Sequence, residues 1–276
     1  MLKRSCLVLL ALLTLLCSAH AETELLAINV GKGDALLISC GDYVCLIDTG
    51  KKDNEEDIRR ALEYTEVDAL DAVFITHTDK DHTGGLKWLR KSEISIGALY
   101  ASAYHPETKR EKHPSVKTAE KLDLQVNWLK AGDCVPLGDT GAVFYVLAPE
   151  YEIPDNEDDN SLVMMLDSPD GRMLLAGDME FSQEAVLLQS GYDLACDVLK
   201  VPNHGDDDAC SEALMRACGA KIAVISTSSE EKAGTPSAHV TDGLREIGCE
   251  AYCTQQSGIG VRVRMSNGEI SAEFLP

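Results

Sequence analysis

Short apolar runs separated by glycine and polar residues open the chain after residue 21. Residues 25–30, 35–40 and 44–48 each have the length of a strand. This pattern is typical of consecutive antiparallel strands. The segment 54–64 then repeats apolar residues at helical spacing, which predicts an amphipathic helix. The fold is therefore expected to begin with a β-sheet and a covering helix.

The rest of the chain alternates apolar strands with amphipathic helices. Further strands are predicted at residues 72–75, 94–100, 125–130, 142–147, 161–166, 173–176, 198–201, 222–226, 251–253 and 261–265. Further helices are predicted at residues 84–90, 116–121, 182–189, 211–218 and 239–247. Two successive groups of strands and helices predict an α/β fold in which two mixed β-sheets pack face to face with helices outside. No linker rich in Pro, Ser or Gly divides residues 22–276, so we expect a single domain.

The first 21 residues have the pattern of an export signal. Lys3 and Arg4 precede the apolar run 7–16 and the small-residue segment 19–21. A membrane span needs about 20 apolar residues, so this shorter run predicts a cleaved signal peptide, residues 1–21. Lipidation at Cys17 is a less favoured alternative, because the residues before it are not small. We expect a secreted, extracellular protein whose mature form has no membrane attachment.

The composition gives two further expectations. The chain has 25 basic and 46 acidic residues, a formal net charge of −21, and this charge repels polyanions unless bound metal ions reverse the local field. Ten cysteines are present, and an even number would remain after loss of Cys6 and Cys17, which predicts disulfides in an exported chain. Cys40 and Cys45 flank a predicted hairpin turn and are the expected pair. No segment indicates a protein partner.

A dense group of metal-ligand side chains follows the predicted strand 72–75. His77, Asp79, Asp81 and His82 occupy a span of six positions there. A turn at the end of a strand holds such side chains close together, and imidazole with carboxylate suits zinc, manganese or iron(II). A solvated acidic turn that happens to contain histidines is the less favoured alternative. The sequence therefore predicts a metal site.

This motif makes a family resemblance visible. Together with the segments 28–35 (INVGKGDA) and 201–205 (VPNHG), it resembles the metallo-β-lactamase superfamily, and is most similar to the hydrolase domain of ComEC-like competence proteins. The family signature is His-x-His-x-Asp-His, and Asp79 stands where the second histidine is usual. The resemblance covers nearly all of the chain after residue 21. It implies the αβ/βα four-layer sandwich of the metallo-β-lactamase fold, with the metal site at one edge between the sheets.

The resemblance also implies a set of metal ligands. These are His77 and Asp79 at a first metal, Asp81, His82 and His204 at a second, and Asp178 as the carboxylate between them. The family usually adds a ligand near residues 155–161, where this chain has no histidine. One or two divalent ions, zinc or manganese, are therefore expected, and the oxygen-rich ligand set favours manganese.

The implied function is metal-assisted hydrolysis. Asp81 is the candidate to orient the attacking water, His239 the candidate to steady the leaving oxygen, and Asp48 is expected to support the metal ligands from behind. A metal pair suits phosphodiesters, in a small molecule or a nucleic acid, so a nuclease or phosphodiesterase is the leading prediction. The alternatives are a hydrolase of carboxylic esters, lactones or amides, and a non-enzymatic, metal-stabilised binding module. Asp79 and the missing middle histidine argue against a β-lactamase.

Overall fold

Two β-sheets form the centre of the computed structural model, which describes residues 22–106 and 108–276. The first sheet contains β1 (Thr23–Ile28), β2 (Leu36–Cys40), β3 (Tyr43–Ile47), β4 (Ala69–Ile75), β5 (Ser95–Ser102) and β6 (Val126–Leu129). The second contains β7 (Cys134–Pro136), β8 (Val143–Ala148), β9 (Val163–Ser168), β10 (Gly171–Leu175), β11 (Val198–Lys200), β12 (Ile222–Ile225) and β13 (Glu250–Cys253). The last two strands, β14 (Gly260–Ser266) and β15 (Glu269–Leu275), return to the first sheet. The predicted signal peptide lies outside the described residues.

The strand order is mixed in both sheets. Among the described residues the first sheet runs β15-β14-β1-β2-β3-β4-β5-β6, and the second runs β13-β12-β11-β10-β9-β8-β7. The neighbours β3, β4, β5 and β6 are parallel, as are β10, β11, β12 and β13. The carboxyl ends of parallel neighbours lie at the same edge of a sheet. The loops that follow β3 and β4 are therefore close together in the first sheet, and those that follow β10 and β11 are close together in the second.

Helices cover the outer face of each sheet. They are α1 (Glu55–Tyr64), α2 (Lys80–Thr83), α3 (Leu86–Leu89), α4 (Pro114–Leu122), α5 (Phe181–Gln189), α6 (Glu212–Cys218) and α7 (Ala238–Glu246). One apolar core, which includes Phe74, Phe144 and Met164, lies between the sheets. Two further cores lie between a sheet and its helices. The predicted four-layer sandwich is confirmed.

Strand β4 shows how the sequence produces these layers. Ala72 and Phe74 belong to the core between the sheets, whereas Val73 and Ile75 belong to the core beneath the helices. Since side chains alternate across a strand, a strand buried on both faces is apolar without interruption. This continuous run carries the chain directly into the histidine-rich turn.

Three local predictions were wrong. The helix predicted at residues 84–90 is shorter, because only Leu86–Leu89 are helical (α3), and α2 (Lys80–Thr83) before it was not predicted. The strands β7 and β15 were missed, although Asn267 and Gly268, both at positive φ, form the tight turn that pairs β15 with β14. All cysteines of the described residues are free thiols, and across the hairpin Cys40 lies opposite Tyr43 and not opposite Cys45, so the expected disulfide is absent.

Within the described part of the chain, no helix is long and apolar enough to cross a membrane.

Candidate metal centre

The sheet edge where the two sheets meet collects the predicted ligands. The turn after β4 supplies His77, Asp79, Asp81 and His82, and the ends of β10 and β11 are followed by Asp178 and His204. His77, Asp79 and Asp158 have ligand atoms within 4.8 Å of one another, and so do Asp81, His82 and His204. We call these groups the first and the second metal position. The structure therefore brings all six predicted metal ligands together at this edge.

Each of the three imidazoles is oriented by a hydrogen bond at its Nδ1 atom. His82 Nδ1 donates to Asp48 Oδ2 at 2.7 Å, and His204 Nδ1 donates to the Ser226 carbonyl at 2.8 Å. His77 Nδ1 lies 3.0 Å from Thr76 Oγ1 and 3.1 Å from Ser161 Oγ. This use of Nδ1 leaves Nε2 of each ring directed toward the other ligands, as metal-binding histidines require.

Asp178 lies between the two metal positions. Its Oδ2 atom is 3.1 Å from His82 Nε2 and 2.9 Å from His204 Nε2. Its ligand atoms also lie within 4.8 Å of those of His77. Burial acts to raise the pKa of Asp178, but the imidazoles of His204 and His82 outweigh burial and hold that pKa well below its usual range. An ionised carboxylate in this place can bridge two cations.

Several buried polar atoms at this edge lack a hydrogen-bond partner. Asp178 Oδ1 and Asp34 Oδ1 are buried and accept no hydrogen bond, and buried His77 Nε2 has only the contact of 3.5 Å with Asp158 Oδ1. An unpaired buried polar group is costly, and so many of them facing one another in one place need a common ligand. Imidazole nitrogens with carboxylate oxygens are the donor set of a divalent transition metal, so the residues present fit the metal ions that the sequence predicts.

Asp158 completes the first metal position and was missed by the sequence analysis. Its Oδ1 atom is 3.5 Å from His77 Nε2, in the loop where the usual middle histidine is absent. Burial, followed by the charges of Asp178 and Asp79, raises the pKa of Asp158 to about 8. A carboxylate thus takes the place of an imidazole. The segment 155–161 contains four acidic residues, so its sequence gives no signal that selects this one.

The raised pKa of Asp158 predicts a pH-dependent first metal position. Below about pH 8 the carboxyl group holds a proton, which a metal ion must displace, so affinity for the first ion should fall by up to about tenfold per pH unit. Titration with Mn²⁺ at pH 6.5 and pH 8.5, with free Mn²⁺ read by electron paramagnetic resonance, measures this difference. Asp158→Asn should bind about one ion fewer at pH 8.5. Asp155→Asn, at an exposed position of the same loop, is the matched control, and equal loss in both variants would contradict the assignment.

Asp48 supports the motif from behind, as expected. The Asp48 Oδ2 atom accepts from His82 Nδ1 and, at 2.6 Å, from Thr76 Oγ1, and its Oδ1 atom accepts from the Thr76 amide at 2.8 Å. The turn is packed from the other side at Gly33, where an added Cβ would lie 2.7 Å from the Asp81 carbonyl oxygen. Only glycine allows this approach, which fixes the backbone that carries Asp81.

Asp34 and Lys200 form a buried ion pair between the two sheets. Lys200 Nζ donates to Asp34 Oδ2 at 2.5 Å, and both side chains are at most 1% exposed. Burial acts to raise the pKa of Asp34, but the Lys200 ammonium and His204 lower it below its usual range. A carboxylate oxygen of Asp34 also lies within 4.8 Å of ligand atoms of Asp178 and His204. Asp34 is therefore a further candidate ligand on the side of the second metal position.

Comparison with known proteins agrees with this geometry. A family model described as the metallo-beta-lactamase superfamily matches residues 28–229, which is most of the chain. The chain belongs to this superfamily.

Curated proteins that are similar in sequence include a ComE operon protein and a competence protein. The chain is 26% identical to ComE operon protein 3 of Bacillus subtilis, over 92% of this chain and 34% of that protein. It is 23% identical to competence protein ComA of Neisseria gonorrhoeae, over 90% of this chain and 33% of that protein. The chain thus spans about a third of the length of these relatives, and the predicted resemblance to a competence-protein domain is confirmed.

Two solved structures share the fold. The metallo-beta-lactamase fold protein YhfI of Bacillus subtilis aligns with a TM-score of 0.57 at 13% identity, covering 88% of this chain and 99% of that one. A diphosphatase from the PhnP family aligns with a TM-score of 0.50 at 14% identity, covering 88% and 98% of the two chains. At these identities the likeness is evidence for the fold alone.

Of the predicted site residues, His239 is the one whose contacts lie away from both metal positions. It is exposed at the start of α7, its Nε2 atom is 3.0 Å from the Ala209 carbonyl oxygen, and its Nδ1 atom is 3.0 Å from Ser237 Oγ. With both ring nitrogens engaged in local contacts, the geometry gives no support to the role predicted from the sequence, that of steadying the leaving oxygen. We assign the ring a structural role at the start of the helix.

Proposed function

We propose that this protein is a metal-dependent hydrolase of phosphodiester bonds. The observation that carries the proposal is a pair of adjacent metal positions that share Asp178. Two neighbouring divalent ions supply Lewis acidity, lower the pKa of water toward neutrality and stabilise both oxygens of an in-line displacement at phosphorus. The family membership supports a hydrolase, and the arrangement of the metal ligands supports phosphodiesters as the substrates.

The composition of the first metal position favours a hard metal ion over zinc. His77 is its single imidazole, and Asp79, Asp158 and the shared Asp178 provide carboxylate oxygens. Oxygen-rich sites suit manganese or magnesium, whereas imidazole-rich sites suit zinc. This set departs from the three histidines that the common β-lactamases use, which argues against amide or lactone substrates. We propose manganese as the preferred ion.

Asp81 is the residue that we propose to orient the attacking water. Its side chain is 22% exposed, whereas those of His82 and His204 are fully buried, so Asp81 lies where the second metal position opens to solvent. Asp81 Oδ2 is 3.8 Å from His204 Nε2 and 3.8 Å from Lys32 Nζ. One of its carboxylate oxygens can hold the metal while the other accepts a hydrogen bond from water, and Lys32 is placed beside an anionic substrate.

Hydrolysis of bis-p-nitrophenyl phosphate with Mn²⁺ or Zn²⁺ tests the proposal. We expect turnover with about two bound ions per chain, a higher rate with Mn²⁺, and loss of at least about 100-fold in Asp81→Ala and His82→Ala, since changes even behind metal ligands cost 10–100-fold. Asp242→Asn, an exposed carboxylate on α7, is the matched control. Turnover of p-nitrophenyl acetate or a lactone in place of the phosphodiester would overturn the choice of substrate. Two bound ions with no turnover of any ester would favour the binding module.

The substrate in the organism is proposed to be a nucleic acid or a small phosphodiester. The competence-protein relatives support the nucleic acid, and the net charge of −21 opposes it unless the metal ions reverse the field at the site. Secretion through residues 1–21 is part of the proposal. Detection of a mature chain that begins at Glu22 in culture medium would support it, and a retained, uncleaved chain would contradict it.

A further inference from the structure

Three lysines from three separate loops surround the opening at Asp81. Lys32 lies between β1 and β2, Lys51 follows β3, and Lys232 follows β12. We call these residues the lysine rim. Lys32 Nζ is 3.8 Å from Asp81 Oδ2 and 3.9 Å from Asp206 Oδ2. The Lys32 ammonium group thus lies beside Asp81, a carboxylate of the second metal position.

Contacts between the three loops hold the rim together. Lys232 Nζ binds the Asp206 carboxylate that Lys32 also approaches, and Lys51 Nζ binds Glu231, the residue before Lys232. Burial lowers the pKa of Lys51, Asp81 acts to raise it, and the like charge of Lys32 lowers it further. Lys32, Lys51 and Asp81 therefore lie close enough for their charges to interact.

The charge balance at the opening changes when metal ions bind. The two metal positions contain four carboxylates, those of Asp79, Asp81, Asp158 and Asp178, and two divalent cations neutralise them. Binding of these cations would remove the negative charge beside Lys32 and Lys51, while Asp206, Asp207 and Asp208 keep negative charge on the Lys232 side. In a chain with 46 acidic and 25 basic residues, the Lys32 and Lys51 side of the opening is then the less repulsive approach for an anionic substrate.

We propose that the lysine rim binds a second phosphate group of the substrate, next to the phosphodiester held at the metal centre. The proposal rests on the proposed phosphodiester hydrolysis. Lysine binds phosphate as a mobile point charge and needs no fixed planar geometry, which suits three side chains that are 21–50% exposed. The second phosphate is either a terminal phosphate or the neighbouring backbone phosphate of a polynucleotide.

Substrates with one and with two phosphates test the rim. Thymidine 5′-(p-nitrophenyl phosphate) is compared with the same ester carrying a 3′-phosphate, in the wild type and in Lys32→Ala/Lys51→Ala. We leave Lys232 in place because Asp206 is buried and needs a cationic partner. Removing two charges should lower the preference for the two-phosphate ester, measured as a ratio of kcat/KM values, by about tenfold or more. An unchanged ratio would overturn the proposal.

Matched variants separate charge from folding. Lys32→Arg/Lys51→Arg keeps both charges and should retain most of the preference. Lys221→Ala removes an exposed lysine at the start of β12, paired with Asp197, and should leave the ratio as in the wild type. A ratio that falls equally in the arginine variant or in Lys221→Ala would show that the effect is not binding by the rim charges.

Oligothymidylate without terminal phosphates distinguishes the two sources. If its cleavage is also slowed in Lys32→Ala/Lys51→Ala, the rim binds the backbone phosphate, and if only the 3′-phosphorylated ester is affected, the rim binds a terminal phosphate. Calorimetric binding of pyrophosphate to the Mn²⁺-loaded protein provides a readout without turnover. About tenfold weaker binding in the alanine variant would support the rim even if no phosphodiester is hydrolysed, and equal binding would refute it.

Discussion

Asp178→Asn should bind at most one metal ion per chain and should lose at least about 100-fold of its phosphodiesterase activity. Among the described residues, Asp178 is the carboxylate that lies within ligand distance of His77 at the first metal position and of His82 and His204 at the second. An asparagine oxygen carries no charge and cannot neutralise two cations. Elemental analysis of the purified variant and initial rates on bis-p-nitrophenyl phosphate measure both effects.

Stability gives an independent check on the same substitution. In the metal-free protein Asp178 carries the charge that faces two buried imidazoles, so Asp178→Asn also removes their partner. Mn²⁺ should raise the melting temperature of the wild type, because an ion that binds only the folded state stabilises it, and should raise that of the variant much less. Two tightly bound ions in Asp178→Asn, with a wild-type shift in melting temperature, would refute the bridging role.

The layers of the fold could be predicted from the periodicity of apolar residues along the chain. There are physical reasons why the remaining elements were missed. Strand β4 is apolar at consecutive positions because both of its faces are buried, which is a pattern that a sequence displays directly. Strand β15 alternates partly exposed apolar residues with polar ones at the edge of its sheet. Its strongest signal is the turn at Asn267 and Gly268, whose residues tolerate positive φ. Reading that turn would have added the strand.

The metal ligands that lie close together in the sequence could be predicted more directly than those that lie far apart. His77, Asp79, Asp81 and His82 lie on one turn, so their spacing alone indicates a metal. Asp178 and His204 could be placed only by family resemblance, because their approach depends on how two sheets pack. Asp158 has acidic neighbours on a loop, and nothing in the sequence states which of them turns inward.

The pairing of Asp34 with Lys200 could not be predicted from the sequence. The two residues are 166 positions apart, and a lysine in a short apolar strand gives no information about which carboxylate will face it. Val198 belongs to the core between the sheets and Leu199 to the core beneath the helices. Alternation therefore points Lys200 between the sheets, toward the other sheet and Asp34.

Lys200→Met should destabilise the metal-free protein by roughly 3–5 kcal/mol, the usual cost of leaving one member of a buried ion pair alone. Asp34 would remain buried with no cation beside it. A divalent ion at the second metal position can replace the lost charge, because a carboxylate oxygen of Asp34 lies within 4.8 Å of ligand atoms of Asp178 and His204. The loss of stability should therefore be smaller with Mn²⁺ than without it. Urea unfolding at both conditions measures the difference.

The double variant Asp34→Asn/Lys200→Met separates a metal ligand from a simple ion-pair partner. It removes both charges together, and replacing a whole buried pair is far less costly than breaking it. We expect this variant to fold and to bind its second metal ion at least about tenfold more weakly than the wild type, because a carboxylate near the ion is lost. Mn²⁺ titration followed by electron paramagnetic resonance tests this directly. Wild-type affinity for both ions in the double variant would show that Asp34 serves only to hold Lys200 between the sheets.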